Sequence, residues 1–228
     1  MGKIISLVSP KGGVTKSTLA LCLASAYGNS CIVDMDRQGS LDTWFHDRQN
    51  RESEGYEQDV RIQVEFYGQE ELTDKKLMDL AGQYEYVIID CPGESEAGEK
   101  TRTALVYSDL VIIPINESEF DLNSLLDHLV PLLDYAKEAN PKGRFVLLPV
   151  FCHVNAGLEK TIAKFKPLEL DVVEALFRYR TVFKRFAENG QTLEKYSENA
   201  TTARERIRAR AALSDVNEIV LQLNNHLR

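Results

Sequence analysis

A short segment near the start of the chain, rich in lysine and glycine, has the composition of a phosphate-binding loop. It reads Pro10-Lys11-Gly12-Gly13-Val14-Thr15-Lys16-Ser17-Thr18. Glycines let the backbone approach phosphate oxygens, a lysine can reach the β- and γ-phosphates, and the serine hydroxyl that follows it can ligate Mg²⁺. We therefore expect residues 11–18 to bind a nucleotide, with Lys16 on the phosphates and Ser17 on the metal.

The segment departs from the usual pattern Gly-x4-Gly-Lys-[Ser/Thr]. Counting back from Lys16, the two expected glycines fall at Pro10 and Thr15, and an additional cation, Lys11, precedes the glycine pair. Phosphoryl transfer is catalysed mainly by positioning and charge neutralisation. The second lysine is therefore a second candidate for phosphate contact.

Carboxylates follow two later apolar segments. Asp34 and Asp36 end one of them, and Asp90, followed by Pro92 and Gly93, ends another. An aspartate at the end of a buried strand can hold Mg²⁺, usually through water. One carboxylate of the earlier pair could face the phosphates while the other anchors the strand or the water shell of the metal. That earlier pair is also compatible with a solvated turn, because Asp and Gly are common turn formers. The phosphate-loop segment and these two strand ends, in this order, make a stronger case than any one of them alone.

These groups can meet only if several strands end at one edge of a sheet. Apolar segments alternate with helical patterns along the chain, and continuous apolar stretches are typical of strands buried on both faces of a parallel sheet. We predict strands over Lys3–Ser9, Ser30–Met35, Arg61–Tyr67, Tyr84–Cys91, Asp109–Ile115, Arg144–Phe151 and Asp171–Ala175. We predict helices over Ser17–Tyr27, Ser40–Gln49, Glu70–Gly82, Glu96–Tyr107, Ser118–Glu138, Leu158–Lys166, Thr181–Asn189 and Ser197–Leu227, and a mobile surface loop over Asp47–Asp59.

The alternation predicts an α/β fold, a doubly wound, mostly parallel sheet flanked by helices, with ligands at the carboxyl ends of the strands. The length of 228 residues suits a single domain spanning residues 1–228. No apolar stretch is long enough for a membrane span, and the apolar residues near the C-terminus, such as Val216 and Leu223, should pack onto the body. The four cysteines lack Cys-x-x-Cys spacing, which favours free thiols in a reducing cytoplasm. The four histidines lack the spacing of metal ligands.

Charge is distributed unevenly. The whole chain carries −8, yet the segment from Arg178 to Arg210 contains nine Lys or Arg and four Glu, which puts that segment at +5 and the remainder at −13. A row of arginines without interleaved aromatic residues suits phosphate backbones and predicts salt-sensitive DNA binding without sequence preference. The alternative is a solvated helix face. The candidate DNA-binding residues are Arg204, Arg206, Arg208 and Arg210, extended by Lys184 and Arg185.

The sequence resembles the ParA/MinD family of deviant Walker ATPases, with the ParA partition branch as the closer match. The resemblance is carried by Lys11 to Ser17, by Asp34-x-Asp36-x-Gln38, by Asp90 to Gly93 and by the segment Phe183–Gly190, and it covers essentially the whole chain. It implies that Lys11 reaches across a dimer to the phosphates of the partner subunit, and that Lys16 and Ser17 bind phosphates and Mg²⁺ in their own subunit. It also makes Asp36 the residue that orients the attacking water and a candidate metal-binding residue, and Asp90 the Walker B acid on Mg²⁺. Thr15 in place of glycine and Arg37 in place of proline depart from the family pattern.

The resemblance further implies a slow, partner-stimulated hydrolase of ATP that uses Mg²⁺ and forms a homodimer when ATP is bound. We expect non-specific DNA and a ParB-like or other cargo adaptor protein as partners, no membrane, and a cytoplasmic, nucleoid-associated location. Because the chain begins directly at its first predicted strand, without a helix-turn-helix extension, we expect a plasmid or other mobile element as cargo.

Three alternatives stay open. The chain could be a same-family ATPase for conjugation or protein-cargo positioning, or a nucleotide-gated DNA-binding module with negligible hydrolysis. A small-molecule kinase would need an acceptor pocket, for which the sequence offers no candidate residues.

Overall fold

The computed structural model describes residues 1–9, 15–55, 60–93, 98–116 and 130–227. One eight-stranded sheet runs through these residues, in the order β3-β2-β4-β1-β5-β6-β7, with β8 paired to β6. The strands are β1 (Lys3–Leu7), β2 (Ser30–Asp34), β3 (Ile62–Phe66), β4 (Tyr86–Asp90), β5 (Leu110–Ile115), β6 (Arg144–Cys152), β7 (Asp171–Val172) and β8 (Phe177–Arg178). Every pairing among them is parallel.

Helices connect the strands. They are α1 (Lys16–Tyr27), α2 (Ser40–Ser53), α3 (Asp74–Gln83), α4 (Gly98–Tyr107), α5 (Val130–Ala139), α6 (Leu158–Ala163), α7 (Leu193–Glu198) and α8 (Ala203–His226). Among the described residues no helix is both long enough and apolar enough to cross a lipid bilayer.

The sheet is covered on both faces. Successive strand residues point to opposite sides, so Ile5 and Ile88 join a core with α1, α2 and α8. Ile4 and Ile89 join a second core with α3, α4 and α5. Each fully buried side chain of this size contributes about 1.5–3 kcal/mol through burial of apolar surface. This arrangement confirms the predicted doubly wound parallel fold.

The first core also takes up the end of the chain. Val216, Ile219 and Leu223 of α8 are buried in it, which confirms that these residues pack onto the body. Three-residue and four-residue spacing puts them on one side of the helix, and α8 thereby carries the arginines at its other end to a fixed place beside β8.

Several predicted elements differ from the structure. The segment Thr181–Asn189 is not one α-helix but contains two short 3-10 turns, Thr181–Lys184 and Glu188–Gly190, because β-branched and aromatic residues disfavour a helix while Phe183 and Phe186 are drawn into the core. The predicted helix Ser197–Leu227 corresponds to α8, which begins only at Ala203, and its first two residues belong to the end of α7.

Two further boundaries were also wrong. The predicted loop Asp47–Asp59 is helical as far as Ser53, with residues 56–59 outside the described part of the chain. The last predicted strand ends at Val172, and β8 follows as a separate strand. Most of the predicted helix Ser118–Glu138 lies outside the described residues, up to the start of α5.

Candidate nucleotide-binding site and basic face

The first helix points its amino end towards the carboxyl end of the sheet. β1 ends at Leu7 and α1 begins at Lys16, so the positive end of the helix dipole lies beside the strand end. The Lys16 side chain is buried there, and its Nζ donates to Ser9 Oγ at 2.9 Å. An ammonium group held at a helix amino end is suited to an anion such as a phosphate.

Thr15 lies immediately before α1 with a left-handed backbone. Its φ is 61° and its ψ is 16°, a conformation that is unusual for a β-branched residue. The usual loop pattern has glycine at this position, which the backbone geometry explains. Thr15 therefore adopts the left-handed backbone conformation that glycine would adopt at this position, although its branched side chain disfavours that conformation.

Asp90 lies at the carboxyl end of β4, between the ends of two neighbouring strands. Its Cα is in register with Leu7 of β1 and with Asp34 of β2. One carboxylate oxygen, Oδ2, accepts a hydrogen bond from Ser17 Oγ at 2.6 Å. The other, Oδ1, is buried and has no hydrogen-bond partner among the described residues. Two of the three predicted metal-binding residues, Ser17 and Asp90, are thus in contact.

The electrostatics of Asp90 reflect this environment. Asp90 is 1% exposed, and burial raises its pKa to about 7, opposed by the Ser17 hydroxyl and the Lys16 ammonium. The neighbouring carboxylates of Asp34 and Asp36 raise the pKa further. Both aspartates that follow β2 are therefore within electrostatic range of Asp90.

The oxygen donors at Asp90 fit a hard divalent cation. A buried carboxylate oxygen without a partner is costly, and a cation would satisfy it. The part of the chain that the structure describes contains no group of three or more His, Cys, Asp or Glu that could hold a metal ion. A small number of protein ligands is enough for Mg²⁺, because this ion keeps several waters and takes other ligands from substrate phosphates. The residues present thus fit Mg²⁺ bound together with a nucleotide.

Asp34 and Asp36 have different environments. The buried Asp34 carboxylate accepts from the backbone N–H groups of Asp36 at 3.1 Å, Leu41 at 3.0 Å and Asp42 at 3.3 Å. Burial raises the pKa of Asp34, and these three hydrogen bonds oppose the rise. Asp36 is half-buried, and its Oδ1 accepts from Gln38 N at 3.0 Å. Asp34 therefore anchors the turn and the amino end of α2, which presents Asp36.

The cations predicted to bind DNA are exposed on the surface of the described structure. They are Lys184 and Arg185 after β8, and Arg204, Arg206, Arg208 and Arg210 along α8. We call these six residues the basic face. Arg208 lines a groove together with Tyr179, and Lys184 Nζ lies 5.5 Å from the centroid of the Tyr179 ring. The structure thus brings cations from two separate segments to one tyrosine, which the sequence analysis did not select.

Two other cations of the basic segment have a structural role instead. Arg178 donates to Asp215 Oδ1 at 2.8 Å, and Arg180 Nε donates to Asp215 Oδ2 at 2.5 Å. Asp215 is a buried residue of α8, outside the segment in which charge was counted. The ion pairs tie β8 to α8, and the single negative charge of Asp215 offsets one of the nine positive charges.

Comparison with known proteins gives the family. The family model described as ATPase MipZ matches residues 3–131, more than half of the chain. The chain is a ParA/MinD-type ATPase of the MipZ family. It is also 31% identical over 188 residues to a chromosome partitioning protein ParA from Myxococcus xanthus. That match covers 66% of this chain and 66% of the relative, just under two thirds of its length.

Solved structures share the fold of this ParA/MinD-type ATPase. A plasmid partition protein from Borrelia burgdorferi B31 bound to AMPPNP has a TM-score of 0.66 and 18% identity, covering 98% of both chains. A single-residue variant of McdA from Cyanothece in complex with ATP has a TM-score of 0.68 and 15% identity, covering 98% of this chain and 96% of that one.

The predicted site of this family member is only partly within the described structure. Lys16, Ser17 and Asp90 are brought together, and Asp36 lies on the adjoining turn. Residues 10–14, including Lys11, lie outside the described residues. Sequence reasoning missed Ser9 as the partner of Lys16. It expected one carboxylate of the pair Asp34 and Asp36 to be an anchor, but not which one, nor that it would hold α2. Ser9 lies directly before the glycine-containing segment, but serine at such a position carries no distinctive signal.

Proposed function

We propose that this protein hydrolyses ATP to ADP and phosphate, forms a homodimer when ATP is bound, and binds DNA without sequence preference. It positions or segregates a plasmid or similar DNA cargo together with a ParB-like adaptor protein. The observation that supports this proposal most directly is the contact between Ser17 and Asp90, with one Asp90 oxygen buried and unsatisfied beside the Lys16 ammonium.

In the proposed mechanism the residues of one subunit bind and orient ATP. Lys16 and the amino end of α1 hold the β- and γ-phosphates, and Ser17 and Asp90 hold Mg²⁺. Mg²⁺, when bound, neutralises charge on the transferred phosphoryl group. Asp36 accepts a hydrogen bond from the attacking water and orients it towards the γ-phosphate. Asp34 keeps the Asp36 turn in place through its three backbone hydrogen bonds.

Lys11 completes the site across the dimer. A cation supplied by a partner subunit acts like an arginine finger, because it neutralises charge that develops in the transition state. Since this cation arrives only on dimerisation, nucleotide state and dimer state are linked. Slow hydrolysis, accelerated by the adaptor, then returns the protein to a monomer.

The basic face binds DNA through phosphates. Its six residues are exposed cations on two adjacent segments, while the rest of the chain is strongly acidic. Contacts to the phosphate backbone carry no sequence information. The partition proteins among the relatives and solved structures support a DNA cargo.

Sedimentation tests the proposal. The protein is centrifuged with ATP, with ADP and without nucleotide, each with and without random-sequence DNA. We expect a dimer only with ATP, and co-sedimentation with DNA mainly in that state. A monomer under all three conditions would contradict the proposed switch, and no co-sedimentation would contradict DNA binding.

Replacing Lys11 tests the dimer contact. We expect Lys11→Ala to abolish phosphate release, which is measured with DNA present, while ATP still binds to the monomer. Lys75→Ala, at an exposed lysine of α3, is the matched control and should hydrolyse ATP like the unmodified protein. Normal turnover by Lys11→Ala would refute the role across the dimer.

A further inference from the structure

A small groove adjoins the basic face at Arg208, and an aromatic ring forms one side of it. The groove has a volume of about 210 Å³ and is lined by Val154, Tyr179, Arg180, Thr181, Val182 and Arg208. Tyr179 is 46% exposed and Val154 is 47% exposed. Exposed apolar side chains among cations are a feature that phosphate contacts alone do not require.

The backbone around Tyr179 is held firmly. Tyr179 N donates to Cys152 O at 2.8 Å, and the next residue, Arg180, is fixed to α8 by Asp215. The Phe151 ring lies 6.2 Å from the Tyr179 ring, and Phe151 has a φ of 55° at an irregularity in β6. Such a left-handed phenylalanine persists only where the surroundings enforce it. The Tyr179 ring is therefore presented by a rigid support.

The chemistry of the groove matches that of surfaces that bind single-stranded DNA. Those surfaces combine cations along the backbone with aromatic rings on which bases stack. Here Lys184 and Arg208 flank Tyr179, and Val154 and Val182 supply apolar walls. In a duplex the base faces are stacked on one another, so only an unpaired base can reach the ring.

We propose that this groove binds an unpaired nucleobase, stacked against Tyr179, while Lys184 and Arg208 contact the flanking phosphates. The basic face then binds DNA with unpaired bases more tightly than fully paired DNA. This inference rests on the proposed function, because it specifies which DNA the basic face prefers. An apolar side chain of an acidic partner protein would be the competing occupant.

Equilibrium binding to two DNA molecules tests the inference. With ATP present, fluorescence anisotropy is measured with a labelled duplex and with the same duplex interrupted by a single-stranded thymidine gap. We expect the gapped DNA to bind about five-fold or more tightly, the lower end of the effect of stacking one base on an aromatic ring. Tyr179→Ser should abolish this preference, and Tyr179→Phe, which keeps the ring, should retain it.

Tyr135 provides a matched control. It is 47% exposed on α5, and Arg102 lies 5.2 Å from its ring centroid, so it is also a tyrosine beside a cation. Tyr135→Ser should leave the preference for gapped DNA intact. If Tyr179→Ser does not fold, as judged by circular dichroism, Val154→Asp places a carboxylate on the same groove and should likewise remove the preference.

The outcomes separate the inference from the proposed function. Equal binding of gapped and paired DNA by the unmodified protein would overturn the inference and leave DNA binding standing. A preference that persists in folded Tyr179→Ser, or in Val154→Asp where Tyr179→Ser does not fold, would also overturn it, because the groove would not be its source. Binding of neither DNA would overturn both, and would leave the groove to a protein partner.

Discussion

Three buried charged side chains, Lys16, Asp34 and Asp90, lie at the carboxyl edge of the sheet. Asp34 is satisfied by three backbone N–H groups, and Lys16 donates to Ser9. Asp90 differs, because Ser17 satisfies one oxygen and the other has no partner among the described residues. At the residue scale the site is thus built around one carboxylate that needs a further positive charge.

Replacing Asp90 tests this imbalance. We expect Asp90→Asn to raise the free energy of unfolding without nucleotide by about 1–3 kcal/mol, because a buried, unsatisfied charged group is removed. The same variant should lose the stabilisation that Mg²⁺ and ATP give to the unmodified protein. Urea unfolding with EDTA, and again with Mg²⁺ and ATP, measures both effects. If Mg²⁺ and ATP stabilise Asp90→Asn as much as they stabilise the unmodified protein, Asp90 is excluded as a metal-binding residue.

Thr15 offers a second test at the same scale. A left-handed backbone costs a residue other than glycine roughly 1–2 kcal/mol, so we expect Thr15→Gly to raise the free energy of unfolding by about 1 kcal/mol. Thr15→Ala removes the same side-chain contacts but keeps a Cβ, and it should not be stabilised. The two variants are compared by urea unfolding without nucleotide. Equal stability of the two variants would show that the backbone conformation is not the source of the cost.

At the element scale, the alternation of apolar and helical segments was enough to predict the parallel sheet, because a sheet buried on both faces leaves continuous apolar strands. Thr202-x-x-Glu205 was a readable start signal for α8 that the predicted helix Ser197–Leu227 overlooked. The 3-10 turns after Arg180 could not be predicted, since they depend on Phe183 and Phe186 packing against distant elements. The same holds for Asp215, whose partners lie more than thirty residues earlier in the chain.

The start of α8 has a pH dependence that follows from its cap. Thr202 Oγ1 accepts from Glu205 N at 3.1 Å, and a Glu205 carboxylate oxygen accepts from Thr202 N at 3.3 Å. Hydrogen bonds from Thr202 and Thr201 lower the pKa of Glu205 below its ordinary value. Stability from this group is therefore present above the ordinary pKa of glutamate and is lost as the pH falls through the lowered value.

Glu205→Gln should weaken that dependence. A neutral amide can still accept from Thr202 N, so we expect only a small loss of stability at pH 7. At a pH below the lowered pKa of Glu205 the unmodified protein and the variant should be equally stable. Thermal unfolding over the range from pH 3 to pH 7 measures this convergence. If the difference in stability between the two proteins stays constant from pH 3 to pH 7, ionised Glu205 does not stabilise the cap.

At the scale of the whole molecule, an acidic body carries the candidate nucleotide site and a separate basic face carries the candidate DNA-binding residues. The candidate nucleotide site lies at the carboxyl ends of β1 and β4, and α8 joins the basic face to the core that α1 also enters. The ion pairs of Asp215 hold β8 and α8 together. This division was visible in the charge distribution of the sequence. The position of Tyr179 beside Arg208 could not be predicted from the sequence, because the two residues line one groove only in the folded protein.

The basic face makes a quantitative prediction about salt. If Arg204 and Arg208 each contact one phosphate, replacing both with Glu should weaken binding equally for all DNA sequences and reduce the slope of log affinity against log salt by about two. The matched control replaces Lys137 and Lys142, two exposed lysines outside the basic face, with Glu. This control changes the net charge equally, so a general electrostatic effect would weaken both proteins to the same extent. A contact effect should lower the slope only for the arginine variant, and equal slopes for the two variants would refute the assignment of the basic face.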